Sequence, residues 1–212
     1  MITTSTDRIR PNFGQNRLLI GLAIFYTLVW IWAAINPLHK ADWLLENILV
    51  IIFVFLLIVI YKKFPLSDLS YILITIFLTL HTIGSHYTYA EVPFGFWLQD
   101  TFNHSRNHYD RIVHFSFGLL LAYPLREVFL RVAHAKGFWA FYLPLDVTLA
   151  FSALYEMVEW GAARVFGGEL GAAYLGTQGD IWDAQKDMLA ATVGAIICMT
   201  ITALVRKKFK NK

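Results

Sequence analysis

The chain has 212 residues, of which 57% are hydrophobic and 16% charged, and its formal net charge is +3. A soluble domain of this length would carry more charge and would not reach a mean hydropathy of +0.52. The composition therefore excludes an ordinary soluble protein. The small net charge comes mostly from loops flanking apolar segments and does not indicate nucleic-acid binding.

Five apolar segments are long enough to cross a bilayer, which takes about 20 helical residues, and a sixth is apolar apart from Asp146, Glu156 and Glu159. In chain order they are 18–36, 44–61, 69–84, 112–125, 138–160 and 188–205. Pro11, Pro37 and Pro65 stand beside predicted helix ends, as helix breakers should. We therefore predict an all-α, polytopic membrane bundle of about six transmembrane helices. It is expected to form a single membrane domain over residues 1–212.

The basic residues predict the orientation of the bundle. With the N-terminus inside, 13 of the 18 Lys and Arg residues lie in cytoplasmic segments, which is the positive-inside pattern. The cytoplasmic tails are then 1–17 and 206–212, and the long outer-face connections are 85–109 and the glycine-rich 161–180. We expect a multi-pass protein of the bacterial inner (plasma) membrane with both termini in the cytoplasm.

Two further features limit the chemistry. No small-residue cleavage site follows the first apolar segment, so that segment is predicted to be a signal anchor. The single cysteine, Cys198, lies within the last span, so an intrachain disulfide is excluded and a thiol-ligated metal site is not expected.

Acidic and imidazole side chains are concentrated at the predicted outer ends of four spans. They are His81 on the third span, Asp110 and His114 on the fourth, Glu156 and Glu159 on the fifth, and Asp180, Asp183 and Asp187 at the entry to the sixth. Spacings of three and four residues place the members of each group on one helix face. Gly118 and Gly194 continue two of these stripes, and small residues let membrane helices approach closely. Their convergence at one depth predicts a functional site.

The residue types predict a divalent-metal site. The candidate ligands are Asp110, His114, Glu156, Asp183 and Asp187, with His81 as a weaker candidate. Imidazole and carboxylate ligands suit Zn²⁺ or Mn²⁺, and an oxygen-dominated set suits Mg²⁺ or Ca²⁺. Glu159, outside this set, is the candidate general base.

The neighbouring cations are expected to be poor partners for these acids. Arg111 adjoins Asp110 and Lys186 adjoins Asp187, but neighbours on a helix point about 100° apart. A bound cation is then the expected compensation for the carboxylates.

Simpler interpretations exist for the same residues. The aspartates before the last span could cap that helix and complement its dipole. Glu156 and Glu159 could pair with Arg111 or Arg164 in a structural ion-pair network. His81 alone is typical of a hydrogen-bonded structural histidine.

The connection 85–109 is long and rich in aromatic residues. Tyr87, Tyr89, Phe94, Phe96 and Trp97 are expected to lie at the membrane interface as an aromatic belt. A re-entrant or surface helix in this connection could cover the polar groups as a lid.

Three stretches carry a family resemblance: HYDRIVHFSFGLLLAYPLRE, ALYEMVEW and GTQGDIWDAQKDMLAATVGA. They resemble the YjdF family of bacterial inner-membrane proteins over nearly the whole chain, which implies a multi-pass membrane protein and no particular reaction. The last three helices also resemble the VanZ-like pattern in Asp110 and His114, Glu156, and Asp183 and Asp187 with Gly194. That resemblance implies a VanZ-like core in the last three or four helices and a link to glycopeptide-antibiotic tolerance. Here the chain has Glu159 where the VanZ-like pattern tends to have glutamine.

Three functions fit these observations. The first is a metal-dependent membrane enzyme acting on a lipid or lipid-linked envelope substrate. The second is a transporter or proton-coupled carrier, and the third is a non-catalytic envelope scaffold with a structural ion-pair cluster. No Gly-x-Ser-x-Gly or His-Glu-x-x-His motif names a reaction. The expected partner is the lipid bilayer, and the oligomeric state stays open.

Overall fold

The computed structural model describes residues 13–168, 171 and 177–210. A short 3-10 turn, Phe13–Gln15, precedes helices α1 (Arg17–Ala34), α2 (Lys40–Lys63), α3 (Asp68–His86), α4 (Pro93–Phe102), α5 (Tyr109–Arg131), α6 (Trp139–Phe166) and α7 (Asp183–Lys210). All of them except α4 are long and apolar enough to cross a membrane. No strand occurs in these ranges. The predicted all-α polytopic bundle with six spans is confirmed.

Helices α5, α6 and α7 are among those that extend further than hydropathy predicts. α5 begins at Tyr109 and α7 at Asp183, so their aspartates lie in the first turns of the helices. α6 continues to Phe166 and includes the first residues of the predicted glycine-rich connection. Helices can therefore carry polar residues at an end that a hydropathy window excludes. Residues 169–170 and 172–176 of that connection lie outside the described residues.

The most extensive helix contact joins α5 and α7. A Cβ atom at Gly118 would collide with the carbonyl oxygen of Ala191, and one at Gly194 would collide with that of Phe115. The two backbones therefore touch where each helix carries a glycine. This confirms that both glycines lie in helix contacts, and it fixes the polar first turns of α5 and α7 side by side.

The other helices surround this pair. α6 packs on both α5 and α7, α3 packs on α5, and α1 packs on α3. α2 makes its main contact with α3. Many large apolar side chains of α1 and α2 are exposed, including Leu28 and Phe55. Such a surface fits contact with lipid, which is as apolar as the side chains themselves.

Helix α4 is attached to the end of the bundle at which α5 begins. Asn107 Nδ2 donates to the carbonyl oxygen of Val92, and Asn107 Oδ1 accepts from the N–H of Tyr109. Gly95 of α4 leaves room for the Asn107 side chain, which a Cβ atom would displace. A helix in the 85–109 connection is thus confirmed, and its role as a lid stays a prediction.

Three of the five residues of the predicted aromatic belt are exposed, and Tyr87 is half-buried. Phe94, Phe96 and Trp97 of α4 are exposed, as expected for side chains at a membrane interface. Tyr89 is buried instead. The expectation was wrong for Tyr89 because its ring packs with Val92 and Val113, and its hydroxyl finds a partner inside the bundle, His81.

The orientation of the bundle gives the first testable prediction. Six spans place both ends of the bundle's chain on one side, and the basic residues assign that side to the cytoplasm. A fluorescent protein fused after Lys212 should fluoresce, and alkaline phosphatase inserted after Gly179 should be active, because that enzyme matures only outside the cytoplasm. Residues 1–12 and 211–212 lie outside the described residues. Activity of alkaline phosphatase fused at the C-terminus would show that the C-terminus lies outside the cytoplasm.

Candidate functional site

Ionisable and polar side chains from five helices meet at the end of the bundle beneath α4. We call this group the polar end. It comprises Glu46 of α2, His81 of α3, Tyr89 and Arg106 of the connections before and after α4, Asp110, Arg111 and His114 of α5, Tyr155, Glu156 and Glu159 of α6, Asp180 just before α7, and Asp183 and Asp187 of α7. Most of these side chains are buried. Buried ionisable groups need partners, so the contacts of each one indicate its role.

Two arginines hold the aspartates at the entry to α7. Arg106 makes a two-pronged contact with Asp183, with Nη1–Oδ1 at 2.5 Å and Nη2–Oδ2 at 3.1 Å. Arg106 Nη1 also donates to the carbonyl oxygen of Thr177. Arg111 Nη2 donates to Asp180 Oδ2 at 2.5 Å and to Asp183 Oδ1 at 3.0 Å. Both oxygens of Asp183 are therefore already bound by guanidinium groups.

The structure contains an ion-pair network, but its acids are Asp180 and Asp183 and not the predicted Glu156 and Glu159. Lys186 Nζ contacts Asp180 Oδ2 at 2.6 Å and so turns away from its neighbour Asp187, as expected. Arg111 pairs across the helix boundary with α7. The interpretation placed Arg111 against Glu156 or Glu159, whereas its partners are Asp180 and Asp183. The partners differ because α5 lies directly against α7.

The ion pair of Asp180 persists through neutral pH. Hydrogen bonds from Lys186 and from the backbone N–H of Trp182 hold the pKa of Asp180 well below its usual range. A depressed pKa means that the pair stabilises the fold at any pH above the usual carboxyl value. Its contribution declines only as the pH falls from that value toward the lowered one.

A second group of acids surrounds His114. Its Nε2 lies 3.4 Å from Glu156 Oε1 and 3.6 Å from Asp110 Oδ1. Carboxylate oxygens of Asp110, Asp183 and Asp187 lie within 4.8 Å of one another. Five of the predicted metal-site residues are thereby brought together, with Asp110 as the link between the histidine and α7.

Glu159 and His81 lie to the side of this group. Glu159 is buried and close enough to Asp110 and Glu156 to interact with both electrostatically. His81 Nε2 is 3.9 Å from Glu46 Oε2, and its Nδ1 is 2.6 Å from the hydroxyl of Tyr89. His81 is therefore hydrogen-bonded through Nδ1 only, and its buried Nε2 has no hydrogen-bond partner among the described residues.

Sequence reasoning missed three members of the polar end, namely Glu46, Tyr155 and Arg106. Glu46 is 1% exposed and accepts a hydrogen bond of 2.6 Å from the hydroxyl of Tyr155. The signal was present, since Glu46 is a lone carboxylate in the apolar stretch LLENILV, and such a residue is a site candidate by default. Arg106 carries no comparable signal, because nothing in the sequence joins a loop arginine to an aspartate 77 positions later.

Two buried carboxylate oxygens of the polar end accept no hydrogen bond from the residues that the structure describes. They are Glu156 Oε1 and Asp187 Oδ1. Asp187 is 2% exposed, and the nearest guanidinium atom, Arg111 Nε, is 3.8 Å away. A buried acceptor without a donor costs free energy, so such atoms indicate a missing partner.

A cavity of about 440 Å³ leads to the polar end from between α2, α3, α5 and α6. Its polar wall consists of His81, Tyr89, Asp110, His114, Ser152 and Tyr155. The rest of its lining is apolar and reaches Leu66 and Val128, near the other end of the bundle. The cavity thus joins a long apolar channel to the acids and histidines.

Comparison with known proteins establishes the family. Over 182 residues the chain is 40% identical to the inner membrane protein YjdF of Escherichia coli (strain K12). The alignment covers 85% of this chain and 87% of that protein. No solved structure matches the chain. The relative and the six candidate spans support a multi-pass protein of the inner membrane. Residues 18–208 match the family described as "Predicted membrane protein (DUF2238)", and the chain therefore belongs to that family.

Proposed function

We propose that this protein is a metal-dependent membrane enzyme that acts on a lipid or lipid-linked substrate. The observation that carries the proposal is the cavity, which is apolar along the bundle and ends at Asp110 and His114. A lipid tail lying in the apolar part would bring its polar head to that pair. The VanZ-like resemblance of the last helices stays a prediction and contributes nothing to the assignment.

The distances around His114 fit a metal centre. In a tetrahedral site with bonds of about 2.1 Å, neighbouring ligand atoms lie about 3.4 Å apart. His114 Nε2 is 3.4 Å from Glu156 Oε1 and 3.6 Å from Asp110 Oδ1. Asp187 offers a fourth ligand, since one of its oxygens lies within 4.8 Å of Asp110 and its Oδ1 lacks a donor. We therefore propose Asp110, His114, Glu156 and Asp187 as the ligands.

Asp183 and His81, the remaining candidates, receive other roles. Asp183 has both oxygens on guanidinium groups, so we assign it to positioning Arg106 and Arg111. His81 faces Glu46 and Tyr89 and lines the cavity, so we assign it to the substrate wall.

The charge balance supports a bound cation. The polar end holds seven carboxylates, namely Glu46, Asp110, Glu156, Glu159, Asp180, Asp183 and Asp187, against the three cations Arg106, Arg111 and Lys186. Ionised carboxylates at these distances repel strongly in a low dielectric. A divalent ion near His114 would offset part of the negative charge that these cations leave uncompensated. Mixed imidazole and carboxylate ligands favour Zn²⁺ or Mn²⁺ over Mg²⁺ or Ca²⁺.

The surrounding residues suit hydrolysis or transfer at an ester or phosphoryl group. A divalent metal at this place would polarise that group and lower the pKa of a bound water. Glu159 is buried next to the proposed ligands and is the candidate base that accepts the proton of the water. The head group would meet polar side chains on one wall only, because the remainder of the cavity is apolar.

The alternatives are less well supported. The scaffold interpretation explains Asp180 and Asp183, but it leaves the buried oxygens of Glu156 and Asp187 without donors. A transporter needs a polar path through the membrane. In the described residues the ionisable groups of the cavity lie at one end, and the rest of its wall is apolar.

Metal content tests the first half of the proposal. Protein purified in detergent is expected to carry about one equivalent of a divalent metal, and His114→Ala and Asp187→Ala should lose it because each removes a ligand. Asp100→Ala, an exposed acid on α4, is the matched control and should keep the metal. Elemental analysis gives the ratio, and circular dichroism verifies the fold. A wild-type protein without metal and without a thermal shift in Zn²⁺, Mn²⁺, Mg²⁺ or Ca²⁺ would establish the scaffold interpretation instead.

Lipid turnover tests the second half. Protein reconstituted in vesicles of bacterial envelope lipids should change the abundance of one lipid class, followed by mass spectrometry. Glu159→Gln keeps the size of the side chain and every proposed ligand, and should lower the rate about 100-fold or more. A metal-loaded wild-type protein that leaves all lipid classes unchanged would contradict an enzymatic role.

A further inference from the structure

The opposite end of the bundle contains a buried arginine that pairs with no acid among the residues that the structure describes. Arg126 of α5 is 8% exposed, and its Nε has no hydrogen-bond partner among the described residues. Its guanidinium carbon lies 4.5 Å from the ring centre of Phe141 on α6. Arg206 of α7 is near enough to repel it electrostatically. A buried cation beside a like charge needs an anion.

The nearest acidic residue along the chain is already bound elsewhere. Glu127 accepts hydrogen bonds from the backbone N–H of Ser67 and the hydroxyl of Ser70, and it pairs with Arg131 at 3.0 Å. It therefore does not compensate Arg126, and the charge of that arginine is left for a ligand.

An apolar groove of about 250 Å³ lies beside Arg126. It runs between α6 and α7, and its lining includes Phe141, Leu145, Ile196, Met199 and Ala203. Phe141 belongs to both features, because its ring lies against the guanidinium and also forms part of the groove wall. The groove is bounded by membrane-spanning segments, so the chemistry that fits it is a hydrocarbon chain.

We propose that Arg126 and Arg206 bind the phosphate of an anionic phospholipid whose acyl chain lies in the groove between α6 and α7. A guanidinium matches phosphate oxygens with two parallel N–H donors. Basic pockets between membrane helices at the cytoplasmic side are suited to phospholipid head groups. This site lies at the other end of the bundle from the polar end, and it does not depend on the proposed enzymatic function.

Lipid binding to the purified protein tests the proposal. Binding of phosphatidylglycerol, measured by native mass spectrometry, is expected to be tighter than that of phosphatidylcholine. Arg126→Gln should weaken phosphatidylglycerol binding about tenfold or more, because it removes the charged hydrogen bonds to the phosphate. Lys207→Gln removes one positive charge from an exposed residue of α7 and should leave the binding unchanged.

A second variant leaves the arginine in place. Ala203→Trp fills the groove and should also weaken phosphatidylglycerol binding, so it decides the question if Arg126→Gln does not fold. Equal binding of the two lipids, or full binding by both variants, would overturn the proposal. Stabilisation by inorganic phosphate alone, equal to that given by phosphatidylglycerol, would replace the lipid by a free anion and overturn it as well.

Discussion

Replacement of Asp183 by alanine is expected to lower the free energy of unfolding by about 3–5 kcal/mol, because it removes the carboxylate that binds both terminal nitrogens of the buried Arg106. Arg106 is 5% exposed and directs both Nη1 and Nη2 at Asp183. The loss also removes the acceptor at 3.0 Å from Arg111. Unfolding in detergent micelles, followed by circular dichroism, measures the change.

Two further variants show whether the loss of stability comes from leaving the pair buried and incomplete or from the loss of a charge alone. Asp180→Ala removes an acid whose side chain is 17% exposed and which contacts the more exposed Lys186, so it should cost much less than Asp183→Ala. The double variant Arg106→Met with Asp183→Leu replaces the pair by apolar groups and should recover much of the lost stability. An Asp183→Ala cost no larger than that of Asp180→Ala would show that the buried pair does not hold the α5 and α7 ends together.

Hydropathy predicts the spans of this chain and misses the ends of the important ones. The predicted fourth and sixth spans begin at 112 and 188, whereas α5 begins at Tyr109 and α7 at Asp183. Asp110, Asp183 and Asp187 lower the local hydropathy, although they lie in helical turns. The same residues that form the polar end therefore conceal the helical turns that position them.

Helical spacing predicts which side chains share a face, and it does not predict which helices meet. Asp110 and His114 lie four residues apart, and the structure places His114 Nε2 3.6 Å from Asp110. The contact of Arg106 with Asp183 depends on how the 103–108 connection folds over α7, and no local pattern encodes this. Glu46 was within reach of sequence reasoning, since a single carboxylate in an apolar span is costly to bury.

The glycine pair that joins α5 and α7 gives the second large effect. Gly194→Leu is expected to lower the free energy of unfolding by about 1–3 kcal/mol through overpacking. A Cβ atom there would collide with the carbonyl oxygen of Phe115, which is backbone and cannot rotate away. Gly21→Leu on α1 is the matched control, because nothing lies within 4 Å of a Cβ atom at that position. The control should be neutral or stabilising, since leucine favours the helix over glycine.

The glycine contact also determines the geometry of the polar end. Gly118 lies one turn below His114, and Gly194 lies two turns below Asp187, so a wedge between the backbones separates α5 from α7 beneath these side chains. Gly194→Leu should therefore weaken metal binding as well as stability, although it alters no proposed ligand. Elemental analysis and thermal unfolding of the same preparation measure both effects. A Gly194→Leu protein with wild-type stability would show that α5 and α7 do not touch at Phe115, and the ligand distances that depend on this contact would fail with it.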